Sequence, residues 1–261
     1  MSEQPITTPS TSQPVIPRKY LFAFIIVTSL FALWGFANDI TNPMVAAFKN
    51  ILLISNFESS LVQAAFYGGY CFMAIPAALF ITRFSYKAGL LMGLAFYAAG
   101  CLLFVPAGGM MAFWLFLVAY FVMTCGLSFL ETSANPYILS MGDPSTSTRR
   151  LNFAQAFNPL GSITGMLIAR NLILAKIDST SEADRRVLSE ENPEAFAAIQ
   201  QSDLDIIVGP YVVLGVVVLA ILIVFALVKL PGTSSGDIKT AVMPTIKRLI
   251  ARPHYVWGVV A

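Results

Sequence analysis

The stretch MMAFWLFLVAYFVMTCGLSFLETSANPYIL, residues 110–139, decides the fold class of this chain. It holds no basic residue and a single carboxylate, Glu131. A helix of ~20 predominantly apolar residues crosses the ~30 Å hydrocarbon core of a bilayer. The stretch therefore predicts a transmembrane helix with one acid inside it.

The composition extends this prediction to the whole chain. Hydrophobic residues make up 57% of it and charged residues 11%, against roughly 25% charged in an average soluble domain. In chain order, the apolar stretches are residues 20–48, 60–82, 88–106, 110–139, 151–174 and 206–230, of which 151–174 is the most polar. We therefore expect an all-α polytopic membrane protein with six transmembrane helices.

The segments outside this bundle have different compositions. Residues 1–19 lack the charged start and short apolar core of a signal peptide and are predicted to be a disordered tail. Residues 20–230 form the bundle, in which 175–205 is a long acidic loop, helical around 194–201. Residues 231–253 are a connecting loop, and 254–261 are interpreted as the unfinished start of a seventh helix. This last interpretation predicts a chain cut off within a longer protein.

Orientation follows from the distribution of Lys and Arg, which are enriched on the cytoplasmic side of a membrane. One set of connecting segments holds Arg18, Lys19, Arg83, Lys87, Arg149, Arg150, Lys229, Lys239, Lys247, Arg248 and Arg252, and the opposite set holds Lys49, Lys176, Arg185 and Arg186. The first set contains both termini. The pattern thus predicts a multi-pass protein with both ends in the cytoplasm and the 175–205 loop outside.

Two carboxylates, Asp39 and Glu131, lie well inside the predicted spans. A charge buried there costs about 3 kcal/mol even on lenient insertion scales, so such residues usually face a water-filled cavity. Removal from water disfavours the charged form of an acid and suits it to taking up and releasing a proton. Both are candidate proton-coupling residues. The alternative is a neutral carboxyl that hydrogen-bonds between helices.

Polar side chains accompany both acids at helical spacing, which places them on common faces. Amide groups together with aromatic rings suit the hydroxyl groups and apolar faces of a sugar. The candidate substrate-binding residues are Asn38, Asp39, Asn42, Gln63, Tyr67, Glu131, Asn135, Gln155 and Asn158. The alternative is that these side chains only form hydrogen bonds between helices.

The remaining reactive residues suggest no other chemistry. Cys71, Cys101 and Cys125 lack CxxC or His spacing, so they are predicted to be buried thiols, and no metal, cofactor or nucleic-acid partner is expected. An intramembrane aspartyl protease would use Asp39 and Glu131 as an acid pair. Neither residue follows a glycine, as such enzymes usually require, so we do not expect an enzyme.

Five motifs occur in order along the chain: FALWGFAND (31–39), LVQAAFYGGY (61–70), SYKAG (85–89), LETSANP (130–136) and LNFAQAFN (151–158). They resemble the fucose:proton symporters, in the fucose–galactose–glucose:proton symporter family of the major facilitator superfamily. The resemblance implies two six-helix halves, each of two three-helix repeats, with a sugar held between them and access alternating across a bacterial inner membrane.

On this resemblance, the chain is the N-terminal half, and its partners are a sugar, protons, the lipid bilayer and either the missing half or a second six-helix chain. Glu131 matches the acid of helix four that is linked to proton coupling and sugar recognition, and Gln155 and Asn158 match polar cavity residues. The fucose member has aspartate at the position of Asn42 and asparagine at that of Asp39, so the sugar stays open. A non-transporting sugar sensor or assembly subunit is the alternative function.

Overall fold

The structure, a computed structural model, describes residues 14–228, Arg248 and residues 251–254 of the chain. Every regular element in that part is helical. The α-helices are α1 Leu21–Thr41, α2 Met44–Leu52, α3 Asn56–Arg83, α4 Tyr86–Gly109, α5 Phe113–Leu139, α6 Ser147–Gln155, α7 Asn158–Ile168, α8 Glu182–Glu191 and α9 Pro193–Leu227. The rest of the predicted tail, most of 231–253 and the predicted seventh helix after His254 lie outside the described residues.

Five continuous helical segments are long and apolar enough to cross a membrane, namely Arg18–Leu52, Asn56–Arg83, Tyr86–Gly109, Phe113–Leu139 and Pro193–Leu227. The first joins α1 and α2 and runs beyond the predicted end at residue 48. The last begins at Pro193, so the helix expected within the loop at 194–201 is the first part of α9. All-helical membrane architecture is thereby confirmed.

The predicted span at 151–174 is interrupted. It consists of α6, α7 and a π-helical stretch, Ala169–Leu174. The break between α6 and α7 has a local cause at Pro159, which has no N–H to donate and whose ring clashes with the carbonyl of residue 155. The α6 helix accordingly ends at Gln155.

The helices pack as two three-helix repeats that exchange their middle members. The first repeat runs from α1 to α4, and the second from α5 to α9. The first helix of each repeat packs along the middle helix of the other: α1 packs along α7, and α5 packs along α3. The α4 helix also packs along α9. Of the five continuous spans, α5 is the most enclosed by protein, with 61% of an apolar stretch of 18 residues buried, and α3 is the least enclosed, with 22% of its stretch buried.

Glycines set the distance between the central helices. A Cβ added to Gly161 on α7 would overlap the carbonyl oxygen of Ala32 on α1. On α5, a Cβ at Gly126 would come within 2.5 Å of the carbonyl oxygen of Gly93 on α4. Small residues give helices in lipid the close van der Waals contact that replaces a hydrophobic driving force. The α1–α7 and α4–α5 pairs are therefore backbone-to-backbone contacts.

The predicted acidic loop is a folded cap. Arg185, with 1% of its side chain exposed, pairs with Asp203 at 2.5 Å between Nη2 and Oδ2. The backbone N–H of Asp178 donates to the other Asp203 oxygen at 2.9 Å. Lys49 contacts Glu182 at 3.2 Å, which ties the cap to the end of α2. Buried charges are tolerated when they are paired and hydrogen-bonded in this way.

Candidate functional site

A polar cavity of about 600 Å³ lies between α3 and α5. Its lining residues are Tyr67, Tyr70, Cys71, Ala74, Ser128, Glu131, Thr132, Asn135 and Pro136. The structure thus brings three of the predicted site residues, Tyr67, Glu131 and Asn135, to one cavity. Glu131 is the only carboxylate among the lining residues.

Helical periodicity explains how the two walls are assembled. On α5, Ser128, Glu131 and Asn135 recur at intervals of three and four residues, which places them on one face. Pro136 on the same helix carries no N–H, so the carbonyl of Thr132 loses its intrahelical donor. The α5 wall therefore offers the hydroxyl of Ser128, the carboxyl of Glu131 and the amide of Asn135 to the cavity.

The α3 wall contributes a hydroxyl with no assigned partner. The Tyr70 Oη atom is buried and makes no hydrogen bond of standard geometry to any described residue. Leaving a buried polar group unsatisfied costs about 1–3 kcal/mol. The Tyr70 side chain lines the same cavity as Glu131, but its hydroxyl oxygen is closed off from water in this structure.

A second polar cluster connects α1 to α3. The Asn42 Nδ2 group donates to Oδ1 of Asp39 at 3.2 Å, and Gln63 Nε2 donates to Oδ1 of Asn42 at 3.2 Å. Gln63 precedes Tyr67 by one helical turn on α3. Asp39 does not line the cavity. It is connected to the cavity through Asn42 and Gln63, because Gln63 lies one turn before the cavity residue Tyr67 on α3.

The interrupted helix supplies the other predicted amides. Gln155 Nε2, at the end of α6, donates to Oδ1 of Asn135 at 3.3 Å, so it contacts a cavity residue without lining the cavity itself. Asn158 Nδ2, at the start of α7, donates to the backbone carbonyl of Phe31 at 3.3 Å. Asn158 therefore ties α7 to α1 in this structure. Asn38 is half-buried on α1 and does not line the cavity. The binding roles of these residues stay predictions.

Several cavity residues were missed by the sequence analysis. Tyr70, Cys71, Ser128 and Thr132 line the cavity. The first three lie one turn from Tyr67 or Glu131 on the same helical face, whereas Thr132 follows Glu131 directly and does not share its face. The prediction of a buried thiol was wrong for Cys71, which is exposed, whereas Cys101 and Cys125 are buried. Cys71 faces the opening between α3 and α5 rather than a packed interface. In the described part of the chain, no cluster of His, Cys, Asp or Glu suits a metal ion.

Hydroxyl, amide, phenol and carboxyl groups on two facing helices can hold a polyhydroxylated ligand, and one carboxyl can exchange a proton with it or with water. The fold and the cavity together define a polytopic helical membrane protein with a polar site between two of its helices. The family comparison agrees: the model of the Major Facilitator Superfamily matches residues 23–261, so the chain belongs to this superfamily.

Three named relatives are similar to this chain over most of its length. The chain is 52% identical over 254 residues to the L-fucose-proton symporter of Haemophilus influenzae, covering 95% of this chain and 58% of that protein. It is 35% identical over 248 residues to the L-fucose-proton symporter of Escherichia coli, covering 94% and 56%. With the glucose/galactose transporter of Brucella abortus, the identity is 33% over 236 residues, covering 90% and 52%.

Two crystal structures share the fold. One is of a variant of the E. coli fucose:proton symporter, with a TM-score of 0.75 and 34% identity, covering 93% of this chain and 58% of that one. The other is of a fucose transporter of the superfamily in an outward conformation, with a TM-score of 0.75 and 35% identity, covering 90% and 56%. The predicted fold and family are confirmed. The chain spans little more than half the length of these relatives, which are named as transporters and not as enzymes.

Proposed function

We propose that this chain forms the N-terminal half of a proton-coupled sugar transporter that carries fucose or a related hexose by alternating access. The observation that carries the proposal is the α3–α5 cavity, in which Glu131 is the only carboxylate and stands among hydroxyl and amide groups. Relatives named as L-fucose-proton symporters and glucose/galactose transporters support the substrate class. Nothing in the comparisons supports the alternative of a sensor or assembly subunit.

In this proposal, Glu131 takes up a proton on one side of the membrane and releases it on the other. The sugar hydroxyls bind to Asn135 and Gln155, and an apolar face of the ring rests on Tyr67. Moving one charge through 100 mV supplies ~2.3 kcal/mol, and one pH unit adds ~1.4 kcal/mol. Since 1.4 kcal/mol is tenfold in an equilibrium constant, one proton could concentrate a neutral sugar several hundredfold.

The cluster of Asp39, Asn42 and Gln63 is proposed as a second part of the same site. A hydrogen bond of 3.2 Å holds Asp39 beside Asn42. These are the two positions at which, on the resemblance, the fucose member has asparagine and aspartate instead. Asn38 and Asn158 complete the proposed set. In this arrangement, Asp39 would act on proton coupling from one side of the cavity and Glu131 from the other.

A single six-helix bundle supplies one wall of such a site, because transporter sites lie between repeats. We therefore propose that a second six-helix bundle, in the same protein or on another chain, closes the cavity. The distribution of Lys and Arg supports an inner-membrane orientation with the α8 cap outside and the ends of the bundle in the cytoplasm.

The test is the variant Glu131→Gln in the complete transporter, reconstituted in proteoliposomes. Glutamine keeps the shape and hydrogen bonding of the side chain and removes its titration. We expect accumulation of labelled fucose, galactose or glucose under an inward proton gradient to vanish, while counterflow exchange of the preferred sugar persists. Glu190→Gln, on the exposed side of α8, is the matched control and should accumulate normally. Gradient-driven accumulation by Glu131→Gln would refute the assignment.

A further inference from the structure

A second cavity, of about 800 Å³, is an apolar groove between α1, α7 and α9. Aliphatic and aromatic side chains such as Leu33, Leu160 and Val213 form most of its walls. It shares no residue with the α3–α5 cavity. Only one end carries charge: Lys176 and Asp205 line the groove beside the α8 cap.

The repeat symmetry shows why the groove exists. At one junction between the repeats, α4 of the first packs closely along α5 of the second through Gly93 and Gly126. The equivalent contact at the other junction would join α9 of the second repeat to α1 of the first. Instead, α9 stands away from α1, and a Cβ added to Gly209 on α9 would meet nothing within 4 Å. The bundle therefore leaves open a place that its own symmetry would fill with protein.

The dimensions and charges of the groove select an occupant. From Asp205 to Ile221, α9 lines it for about 24 Å at 1.5 Å per residue, which exceeds the ~15 Å depth of one bilayer leaflet. Both charged residues at its end are exposed. Among the described residues, Lys176 has no carboxylate at ion-pair distance, and Asp205 accepts one hydrogen bond, from Gln201 at 2.8 Å.

We propose that this groove binds one phospholipid whose headgroup carries both a phosphate and an ammonium group, as phosphatidylethanolamine does. An acyl chain lies along α1, α7 and α9, the phosphate contacts Lys176, and the ammonium group donates to Asp205. A headgroup that is only anionic would gain the contact with Lys176 and meet the repulsion of Asp205. The two opposite charges of Lys176 and Asp205 therefore favour a zwitterionic headgroup, and the apolar walls of the groove favour an acyl chain.

Two valines of α9 give a matched test. Val213 lines the groove and is 65% exposed, whereas Val216, three residues on and 57% exposed, does not line it. The full chain would be purified in detergent, mixed with equal amounts of phosphatidylethanolamine and phosphatidylglycerol, and examined by native mass spectrometry. We expect one retained phosphatidylethanolamine, lost in Val213→Trp and kept in Val216→Trp.

The double variant with Lys176→Ala and Asp205→Ala tests the headgroup separately from the groove. It should still retain lipid but lose most of its preference for phosphatidylethanolamine, which we expect to be about tenfold for two exposed charge contacts. Equal retention of both lipids by the unmodified chain would overturn the proposal, as would retention of phosphatidylethanolamine by Val213→Trp. A protein dimer that Val213→Trp dissociates would assign the groove to a second copy instead. None of these readouts depends on transport.

Discussion

The variant Gly161→Ala tests the close contact between α1 and α7 most directly. A Cβ at this position would overlap the carbonyl oxygen of Ala32 and lie 2.5 Å from its carbonyl carbon and 2.8 Å from its Cα. All three are backbone atoms, so no side-chain rotation relieves the overlap. The helices would have to separate by roughly 1–2 Å to restore ordinary contact distances near 3.5 Å.

The magnitude follows from comparison with Gly68→Ala. Gly68 lies in the interior of α3, and its added Cβ would meet only the Phe121 ring, at 3.8 Å, which is ordinary contact. Both substitutions gain the same intrinsic helix propensity of Ala over Gly, about 0.8–1.0 kcal/mol. The difference between them therefore isolates the overlap, and overpacking of this kind costs about 1–3 kcal/mol. We expect a value in the upper part of that range.

The assay is equilibrium unfolding of the purified chain in mixed micelles, with the loss of helicity followed for both variants. Gly161→Ala should unfold at a lower denaturant fraction than the unmodified chain, and Gly68→Ala at the same or a higher one. Equal stability of the two variants would show that α1 and α7 are not in backbone contact, and would contradict the packing described for this pair.

Two further predictions concern the α8 cap. Arg185→Met leaves Asp203 buried without its charge partner, which typically costs about 3–5 kcal/mol, so amide hydrogen exchange across α8 should accelerate. The control Arg186→Met removes only an exposed ion pair and should leave exchange nearly unchanged. Equal effects of the two variants would refute the buried pair of Arg185 and Asp203. Hydrogen bonds from Arg186 and Lys49 lower the pKa of Glu182 below its ordinary value of 4.5, so the stability that Glu182 contributes is present above pH 4.5 and is lost as the pH falls through the lowered pKa. Exchange in α8 should rise in that acidic range, and Glu182→Gln should remove that pH step; a variant with an unchanged step would exclude this residue as its source.

The sequence predicted the features that depend on local composition. Runs of apolar residues indicated the helices, since a membrane leaves a backbone few other ways to satisfy its hydrogen bonds. The acid on α5 and the amide that follows it by four residues were found by helical spacing. The break before Pro159 escaped the prediction, although the proline itself was visible, because the apolar composition continues through it.

Features that depend on the pairing of helices could not be predicted in the same way. Tyr70 and Cys71 lie one turn after Tyr67 on the same helical face, but that this face meets Glu131 depends on α3 packing beside α5, and the sequence alone does not fix that pairing. Asn158 was predicted from its position on a polar stripe, but its amide donates to the carbonyl of Phe31, since α7 lies against α1. The folded cap likewise depends on Arg185 meeting Asp203, which are 18 residues apart.

The position of Glu131 on α5 has a structural reason beyond its sequence motif. A carboxyl that faced lipid would be costly, and α5 is the helix most enclosed by protein, between α3 and α4. The last turn of α5 is held as well, because Arg150 donates to the carbonyls of Ile138 at 3.3 Å and Leu139 at 2.8 Å. The end of α5 that follows the acid is thus anchored, while the neighbouring helix is interrupted between Gln155 and Asn158. In the proposed transport cycle, we therefore expect α5 and Glu131 to move less than the interrupted helix beside them.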